Sequence, residues 1–203
     1  MKKIYAASFV VTLLVVVLLL PGIARAGDIK GKVTVQGIKS AENIAVYVDA
    51  IPGKKFDPPA PHVLVDQRKM TFVPHVVAVL QGTTVDFQNS DPVGHNVWWP
   101  SISGNKKLTH SLGTWPIGQS KSFQFNDLGT APLLCNVHPE MSGYVVVVPT
   151  PYFAVTDKAG NFEIKNVPPG QYTLKTWSED GKPTIQAVTV PAATTTVDLT
   201  VKK

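Results

Sequence analysis

Short runs in which apolar and polar residues alternate follow one another along most of the chain. Ile29 to Val35 and Asn43 to Asp49 have the period of two that is typical of a half-buried strand. No segment predicts a helix longer than a turn or two. Alternation or short apolar runs predict further strands at Met70 to Leu80, Thr83 to Gln88, Ser120 to Phe125, Ala131 to Cys135, Gly143 to Val148, Phe153 to Thr156, Phe162 to Lys165, Tyr172 to Trp177, Thr184 to Val190 and Thr195 to Val201.

The predicted fold class is therefore all-β, with the strands divided between two sandwiches. The 17 prolines and 15 glycines separate the runs, which argues against a helical bundle. A proline-rich connector, Pro52 to Pro61, marks a boundary between two parts of the chain. We expect the first strands of one sandwich in residues 27–61, a second domain in 62–149, and the rest of the first sandwich in 150–203.

The first 26 residues have the layout of a secretory signal peptide. Lys2 and Lys3 precede the apolar run Ile4 to Leu20, and Ala24-Arg25-Ala26 forms a small-x-small cleavage site. We therefore expect cleavage after Ala26 and an exported, periplasmic protein. The alternative is that the apolar segment stays uncleaved as a membrane anchor.

The charge balance gives little support to nucleic-acid binding. The chain of 203 residues has a formal charge of +5, from 19 basic and 14 acidic residues. Three of the basic residues lie in the predicted signal peptide, and the others are scattered singly or in pairs.

The only cysteine lies in the segment that is richest in potential metal ligands. Cys135 cannot form an internal disulfide, although export favours such bonds. It begins the motif Cys135-x2-His138-x2-Met141, which places a thiolate, an imidazole and a thioether on one short loop. These donors suit copper, and the trigonal His₂Cys arrangement with a weak axial Met needs a second histidine. His95, at the start of a strand that follows a turn-rich loop, is the candidate.

Each of these residue types is more often structural when it occurs alone. The lone histidines His62, His75 and His110 are therefore expected to be structural or solvent-facing. The combination of Cys, two His and Met in an exported β protein predicts instead one copper ion per chain.

The central part of the sequence resembles the cupredoxins, especially amicyanin-like type 1 blue copper proteins. The resemblance rests on the short ligand motif and on three upstream segments, Phe72 to Val79, Gly82 to Asp91 and His95-Asn96-Val97. It covers about Val63 to Val148 and implies a Greek-key sandwich. The copper ligands implied by this resemblance are His95, Cys135, His138 and Met141.

The resemblance also implies a role for residues around the ligands. Asn96 would tie the two ligand loops together. His138 would be partly exposed within an apolar patch that contacts redox partners, such as a c-type cytochrome or a periplasmic dehydrogenase. Candidate members of this patch are Pro139, Trp98, Trp99 and Trp115.

The flanking segments resemble a different family, the transthyretin-like regulatory domain of carboxypeptidases. Val155 to Leu174 carries that resemblance, and Lys30 to Asp49 is similar to the opening strands of such a domain. The cupredoxin would then be inserted into a smaller transthyretin-like sandwich. A tandem arrangement, in which the early strands complete the cupredoxin, is the alternative.

Electron transfer is the function that these features predict, and the protein is not expected to be an enzyme. Multicopper oxidases flank their blue-copper cysteine with histidines, whereas Cys135 has Leu134 and Asn136 as neighbours and the chain has no His-x-His pair. Periplasmic copper storage or delivery without electron transfer is the alternative. With only three methionines, the chain lacks the Met-rich tracts that favour this role. The segment from Pro100 to Gly118 matches no family pattern.

Overall fold

A computed structural model describes residues 26–203 of the chain. The predicted signal peptide lies outside these residues, apart from its last residue, Ala26. Within residues 26–203, no helix is long and apolar enough to cross a membrane.

The described residues form seventeen strands and a single 3₁₀ turn at Lys106–Leu108. The first group of strands comprises β1 (Gly27–Gln36), β2 (Ala45–Val48), β12 (Phe153–Val155), β13 (Asn161–Val167), β14 (Gly170–Trp177), β15 (Ile185–Val190), β16 (Thr195–Thr196) and β17 (Leu199–Lys202). The second group comprises β3 (Val63–Gln67), β4 (Phe72–Val73), β5 (Val76–Leu80), β6 (Thr84–Asn89), β7 (His95–Trp99), β8 (His110–Trp115), β9 (Ser120–Gln124), β10 (Gly129–Leu134) and β11 (Ser142–Val148).

The second group forms the central sandwich. One sheet has the order β5-β11-β10-β7-β8, and the facing sheet has the order β4-β3-β6-β9. Strand β6 illustrates why the sequence folds this way, since its alternate residues Val85 and Phe87 are fully buried between the sheets. Other residues that fill this core are Val65, Val97, Trp99, Phe125, Leu133 and Val145.

The first group forms the flanking sandwich, whose strands come from both sides of the central sandwich in the sequence. Strand β1 pairs with β13 on one side and with β16 and β17 on the other. The facing sheet has the order β12-β2-β14-β15. Its separate apolar core includes Ile29, Val33, Val46, Ile164, Leu174 and Val201.

The two sandwiches pack against each other through strand β11, whose C-terminal half is buried on both faces. Val145 and Val147 point into the central core, whereas Val146 and Val148 contact the flanking sandwich. The sequence of a strand that is covered on both faces is a continuous apolar run rather than an alternation of apolar and polar residues, and β11 has such a run at residues 145–148. The flanking residues in this contact layer include Ala45, Tyr47, Phe153, Val155 and Trp177.

The structure confirms the all-β prediction and corrects details of it. Strands β3 and β8 were not predicted. The single strand predicted from Met70 to Leu80 is divided at Pro74, which has no N–H for a sheet hydrogen bond, into β4 and β5. The strand predicted at Thr195 to Val201 is likewise two strands, β16 and β17. The predicted domain limits fall in connections between the two groups of strands, and as domain assignments they stay a prediction.

Candidate metal centre

Two loops at one end of the central sandwich bring three potential metal ligands together. His95 is the first residue of β7, and Cys135 and His138 lie in the loop between β10 and β11. Each offers one donor atom, and the three donor atoms lie within 4.8 Å of one another. The sequence separates His95 from Cys135 by forty positions, but β7 and β10 are neighbours in one sheet.

His95 is fully buried and is held by a carboxylate. Its Nε2 lies 2.9 Å from Oδ2 of Asp91, four residues earlier in the chain. A carboxylate accepts hydrogen bonds, so Nε2 carries the proton and Nδ1 keeps its lone pair. Nδ1 lies 4.0 Å from Sγ of Cys135 and 3.1 Å from Nδ1 of His138. The lone pair of His95 is thus directed at the other two donors.

Asp91 holds a candidate ligand in place, and this role was not predicted from the sequence. Besides His95, its carboxylate accepts hydrogen bonds from the backbone N–H groups of Lys69 and Met70, at the turn between β3 and β4. Burial alone would raise the pKa of Asp91, but the hydrogen bonds from Met70, His95 and Lys69 outweigh that effect and lower it. An acidic residue in the loop before a candidate ligand is the signal that could have identified it.

Cys135 directly follows β10 and is almost completely buried, with 4% of its surface exposed. The backbone N–H of Asn96 donates to its Sγ at 3.5 Å, which helps to fix the position of the sulfur. The side-chain Oδ1 of Asn96 also lies 3.5 Å from the backbone N–H of Asn136, in a long hydrogen bond. Asn96, which follows His95 in β7, therefore contacts two residues of the other ligand loop, Cys135 and Asn136.

His138 and Met141 complete the short loop. His138 is the one member of the three-donor group that is partly exposed. The backbone N–H of Met141 donates to the carbonyl oxygen of His138 at 3.0 Å, which closes a tight turn. The Met141 side chain is buried in the same apolar cluster as Cys135.

The donor group fits a copper site. Two atoms that each lie about 2.0–2.3 Å from one metal ion are less than about 4.6 Å apart. The separations of His95 from Cys135 and from His138, 4.0 and 3.1 Å, are below that limit, and all three donor atoms lie within 4.8 Å of one another. Two imidazoles and a cysteine sulfur, with a thioether on the same loop as two of them, are a combination that suits copper. Residues 95, 135 and 138 can therefore hold a metal ion.

The prediction that Trp99 and Trp115 contact a partner is wrong. Trp99 is fully buried and Trp115 is 2% exposed, so neither side chain can contribute to a docking surface. Trp99 packs against the rings of Phe123 and Phe125 in the central core. Trp98 is half-buried and Pro139 is exposed, and for these two the contact role stays a prediction.

The remaining histidines lie outside the three-donor group. His62 is paired with Asp86 at 3.0 Å, and the exposed His110 packs against the ring of Trp99. His110 and Trp115 are the end residues of strand β8, within the segment that matched no family pattern. Nε2 of His75 lies 3.0 Å from the carboxylate of Glu179, a residue of the flanking sandwich.

Comparisons with known proteins match two parts of the chain. Residues 60–148 match the family model of copper binding proteins of the plastocyanin/azurin family. Residues 150–198 match domain II of polysaccharide lyase family 4. This second match is not to the carboxypeptidase regulatory-like domain, so that resemblance stays a prediction. No curated protein matches the chain.

Solved structures of amicyanin variants are also similar to part of the chain. An oxidised proline-to-alanine variant is 30% identical, over 42% of this chain and 81% of the amicyanin chain, with a TM-score of 0.39. A reduced Cu(I) form of a proline-to-glycine variant at pH 4 is 26% identical, over 50% and 97%, with a TM-score of 0.40.

The family match and the geometry concern the same residues. His95, Cys135, His138 and Met141 all lie within the matched range. Residues 60–148 of this chain are thus similar to the copper-binding proteins of the plastocyanin/azurin family.

Proposed function

We propose that this protein is an exported electron carrier with one type 1 copper site per chain. The observation that carries the proposal is the convergence of His95, Cys135 and His138 within a segment that matches a copper-binding family. His95, Cys135 and His138 would hold the copper, with Met141 as a weak fourth ligand. When bound, copper supplies a one-electron Cu(I)/Cu(II) couple.

The residues around the donors favour fast electron transfer because they restrict movement. His95 is fixed by the buried carboxylate of Asp91, and Cys135 is fixed by the N–H of Asn96. Ligands held in place by hydrogen bonds and apolar packing change little in geometry when the charge of the site changes. Burial also excludes water from every donor except the exposed edge of His138.

The surface beside His138 supports electron exchange with other proteins. Val137 and Pro139 flank His138 and are exposed, Val137 by 49%. We define Val137 and Pro139 as the apolar rim. Such a surface suits small, transient contacts with a redox protein, for example a c-type cytochrome or a periplasmic dehydrogenase.

We do not propose catalysis, since the chain has no His-x-His pair for additional copper ions. The flanking sandwich, with the proposed transthyretin-like fold, would serve as a scaffold. Export with cleavage after Ala26 completes the proposal and rests on the amino-terminal sequence.

Redox kinetics test the carrier function. The copper-loaded protein should show a reversible couple of one electron per chain. Replacing Val137 with Asp should slow electron exchange with a c-type cytochrome on the order of tenfold, because a charge enters the apolar rim. Ile185→Asp is the matched control, since Ile185 is 67% exposed on the flanking sandwich. An irreversible couple, or equal rates in both variants and the wild type, would contradict the proposed function and favour copper storage or delivery.

A further inference from the structure

A polar group joins the two sandwiches at one edge of their contact layer. Glu179, which follows β14 in the flanking sandwich, has both carboxylate oxygens engaged by the central sandwich. Oε1 accepts a hydrogen bond from the hydroxyl of Tyr144 at 2.8 Å, and Oε2 lies 3.0 Å from Nε2 of His75. We call Glu179, His75 and Tyr144 the inter-sandwich bridge.

The second nitrogen of His75 extends the bridge to the ligand loop. Nδ1 lies 3.1 Å from the carbonyl oxygen of Ser142. A carbonyl and a carboxylate both accept hydrogen bonds, so each ring nitrogen of His75 faces an acceptor. The side chain of His75 therefore lies between Ser142 of the central sandwich and Glu179 of the flanking sandwich.

The ionisation of the neighbouring groups agrees with this arrangement. Burial alone would raise the pKa of Glu179, but the hydrogen bonds from His75 and Tyr144 outweigh it and lower that pKa. Burial, together with the bond to the Glu179 carboxylate, raises the pKa of Tyr144. Glu179 is thus held as an anion by the two groups of the central sandwich.

Ser142 is the residue directly after Met141, and the backbone of the next residue, Gly143, packs closely against Phe72 and His75. A Cβ atom at the next residue, Gly143, would lie 2.9 Å from Cβ of Phe72 and 3.1 Å from the carbonyl oxygen of His75. The N–H of Tyr144 donates to that same carbonyl oxygen at 2.8 Å. His75 is thus bonded to Ser142 through its side chain and to Tyr144 through its backbone. We therefore expect a movement of His75 to reach Met141 through the adjacent Ser142.

We propose that Glu179 is a positioning residue that sets the placement of the Met141 thioether through His75 and Tyr144. The effect of Glu179 on the redox potential rests on the proposed function, in which Met141 is the weak axial ligand. The axial ligand tunes the potential of a His₂Cys copper site. The flanking sandwich thereby acts on the copper site without contributing a ligand.

Two variants of Glu179 test the proposal on the full chain. Glu179→Ala removes both hydrogen-bond acceptors, and Glu179→Gln keeps the shape but removes the charge. Glu163→Ala is the matched control, because Glu163 lies in the same sandwich and pairs with Lys30 at 3.2 Å. Circular dichroism establishes that each variant is folded.

The first readout needs no copper. The chain has three methionines, so ¹³C-methyl labelling gives few signals, and a Met141→Leu variant identifies the signal of Met141. We expect this signal to shift in Glu179→Ala and, to a smaller extent, in Glu179→Gln. The signal of Met70 serves as an internal reference, and Glu163→Ala should leave the Met141 signal unchanged.

The second readout is the reduction potential of the copper-loaded protein. Glu179→Ala should change the ratio of Cu(II) to Cu(I) affinity about threefold, which corresponds to about 28 mV at about 59 mV per tenfold change. An unshifted Met141 signal in the folded variants would overturn the proposal, as would a shifted signal with an unchanged potential. If Glu179→Ala does not fold, the Met141 signal and the potential of Glu179→Gln decide whether the proposal holds. If the wild type binds no copper, the proposed function fails, and the methyl signal alone decides whether Glu179 positions Met141.

Discussion

At the scale of single residues, the buried pair Asp91–His95 determines how the site can bind a metal. Asp91 fixes the proton on Nε2 of His95 and so leaves Nδ1 free for coordination. The same carboxylate is bonded to two backbone N–H groups, which fix its own position. The orientation of His95 is therefore determined before any metal arrives.

Replacing Asp91 with Asn should reduce copper(II) affinity about 10–100-fold, since the charge that orients His95 and raises its basicity is lost. Competition with a chelator of known affinity measures the effect. Asp86→Asn is the control, because Asp86 also pairs with a histidine, His62, but at an exposed position. Equal affinities in the two variants would show that the buried pair has no special role.

The residues of the candidate site could be predicted from the sequence more easily than their surroundings. The spacing of Cys135, His138 and Met141 is local, and His95 follows a recognisable loop. The burial of Trp99 and Trp115, in contrast, depends on which face of β7 and β8 points inward. That orientation depends on strand pairing across distant parts of the chain, and a tryptophan is compatible with either face.

At the scale of elements, the alternation of apolar and polar residues predicted strands such as β1 and β6. Two strands in which this alternation is weak, β3 and β8, were not predicted. Strand β3 follows the proline-rich connector and includes the polar pair Asp66-Gln67, which is buried. Strand β8 has only one fully buried residue, Trp115. Their stability comes from pairing with β6 and β7, which is a tertiary effect that a local pattern does not contain.

The turn between β12 and β13 illustrates an element that the sequence does specify. The segment Asp157-Lys-Ala-Gly160 begins with Asp and ends with Gly, two residue types that are typical of turns. The carboxylate of Asp157 accepts hydrogen bonds from the backbone N–H groups of Ala159 and Asn161 and from the Asn161 side chain. Gly160 has a φ of +82°, and a Cβ atom there would lie 2.4 Å from the carbonyl oxygen of Val33. Glycine is therefore required at that position.

We expect the turn to weaken in acid. Hydrogen bonds, first from the Asn161 side chain and then from backbone N–H groups, hold the pKa of Asp157 below its usual value. A lowered folded-state pKa stabilises the fold fully above the unfolded value of about 3.9, and this contribution is lost as the pH falls through the folded-state pKa.

Urea unfolding of wild type and Asp157→Ala from pH 7 to pH 2 measures this contribution. The difference in unfolding free energy should be largest near neutral pH and shrink below about pH 4. Asp127→Ala, at an exposed loop residue, serves as the control. A difference that stays constant over the whole range would contradict the account of the turn.

At the scale of the whole molecule, the contact layer joins the two sandwiches into one unit. Val146 and Val148 are 3% and 0% exposed because the flanking sandwich covers them. Removing either sandwich would expose this apolar surface of the other, at a cost of about 25 cal/mol per Å². The two sandwiches are therefore expected to unfold together.

Calorimetry of the metal-free protein should show a single transition whose calorimetric and van't Hoff enthalpies agree. Val146→Asp should separate or broaden this transition, because it places a charge in the apolar contact layer. Ile185→Asp, which changes an exposed residue of the flanking sandwich, should leave a single transition. Two separate transitions in the wild type would show that the contact layer does not couple the sandwiches.

The central claim is that Cys135 and two histidines form one copper site, and a Cu(II) titration followed by visible absorption and EPR tests it most directly. An intense thiolate-to-copper band that saturates at one copper per chain is the predicted result, and the band should be lost in Cys135→Ser. A colourless protein, or several coppers bound without that band, would contradict the account.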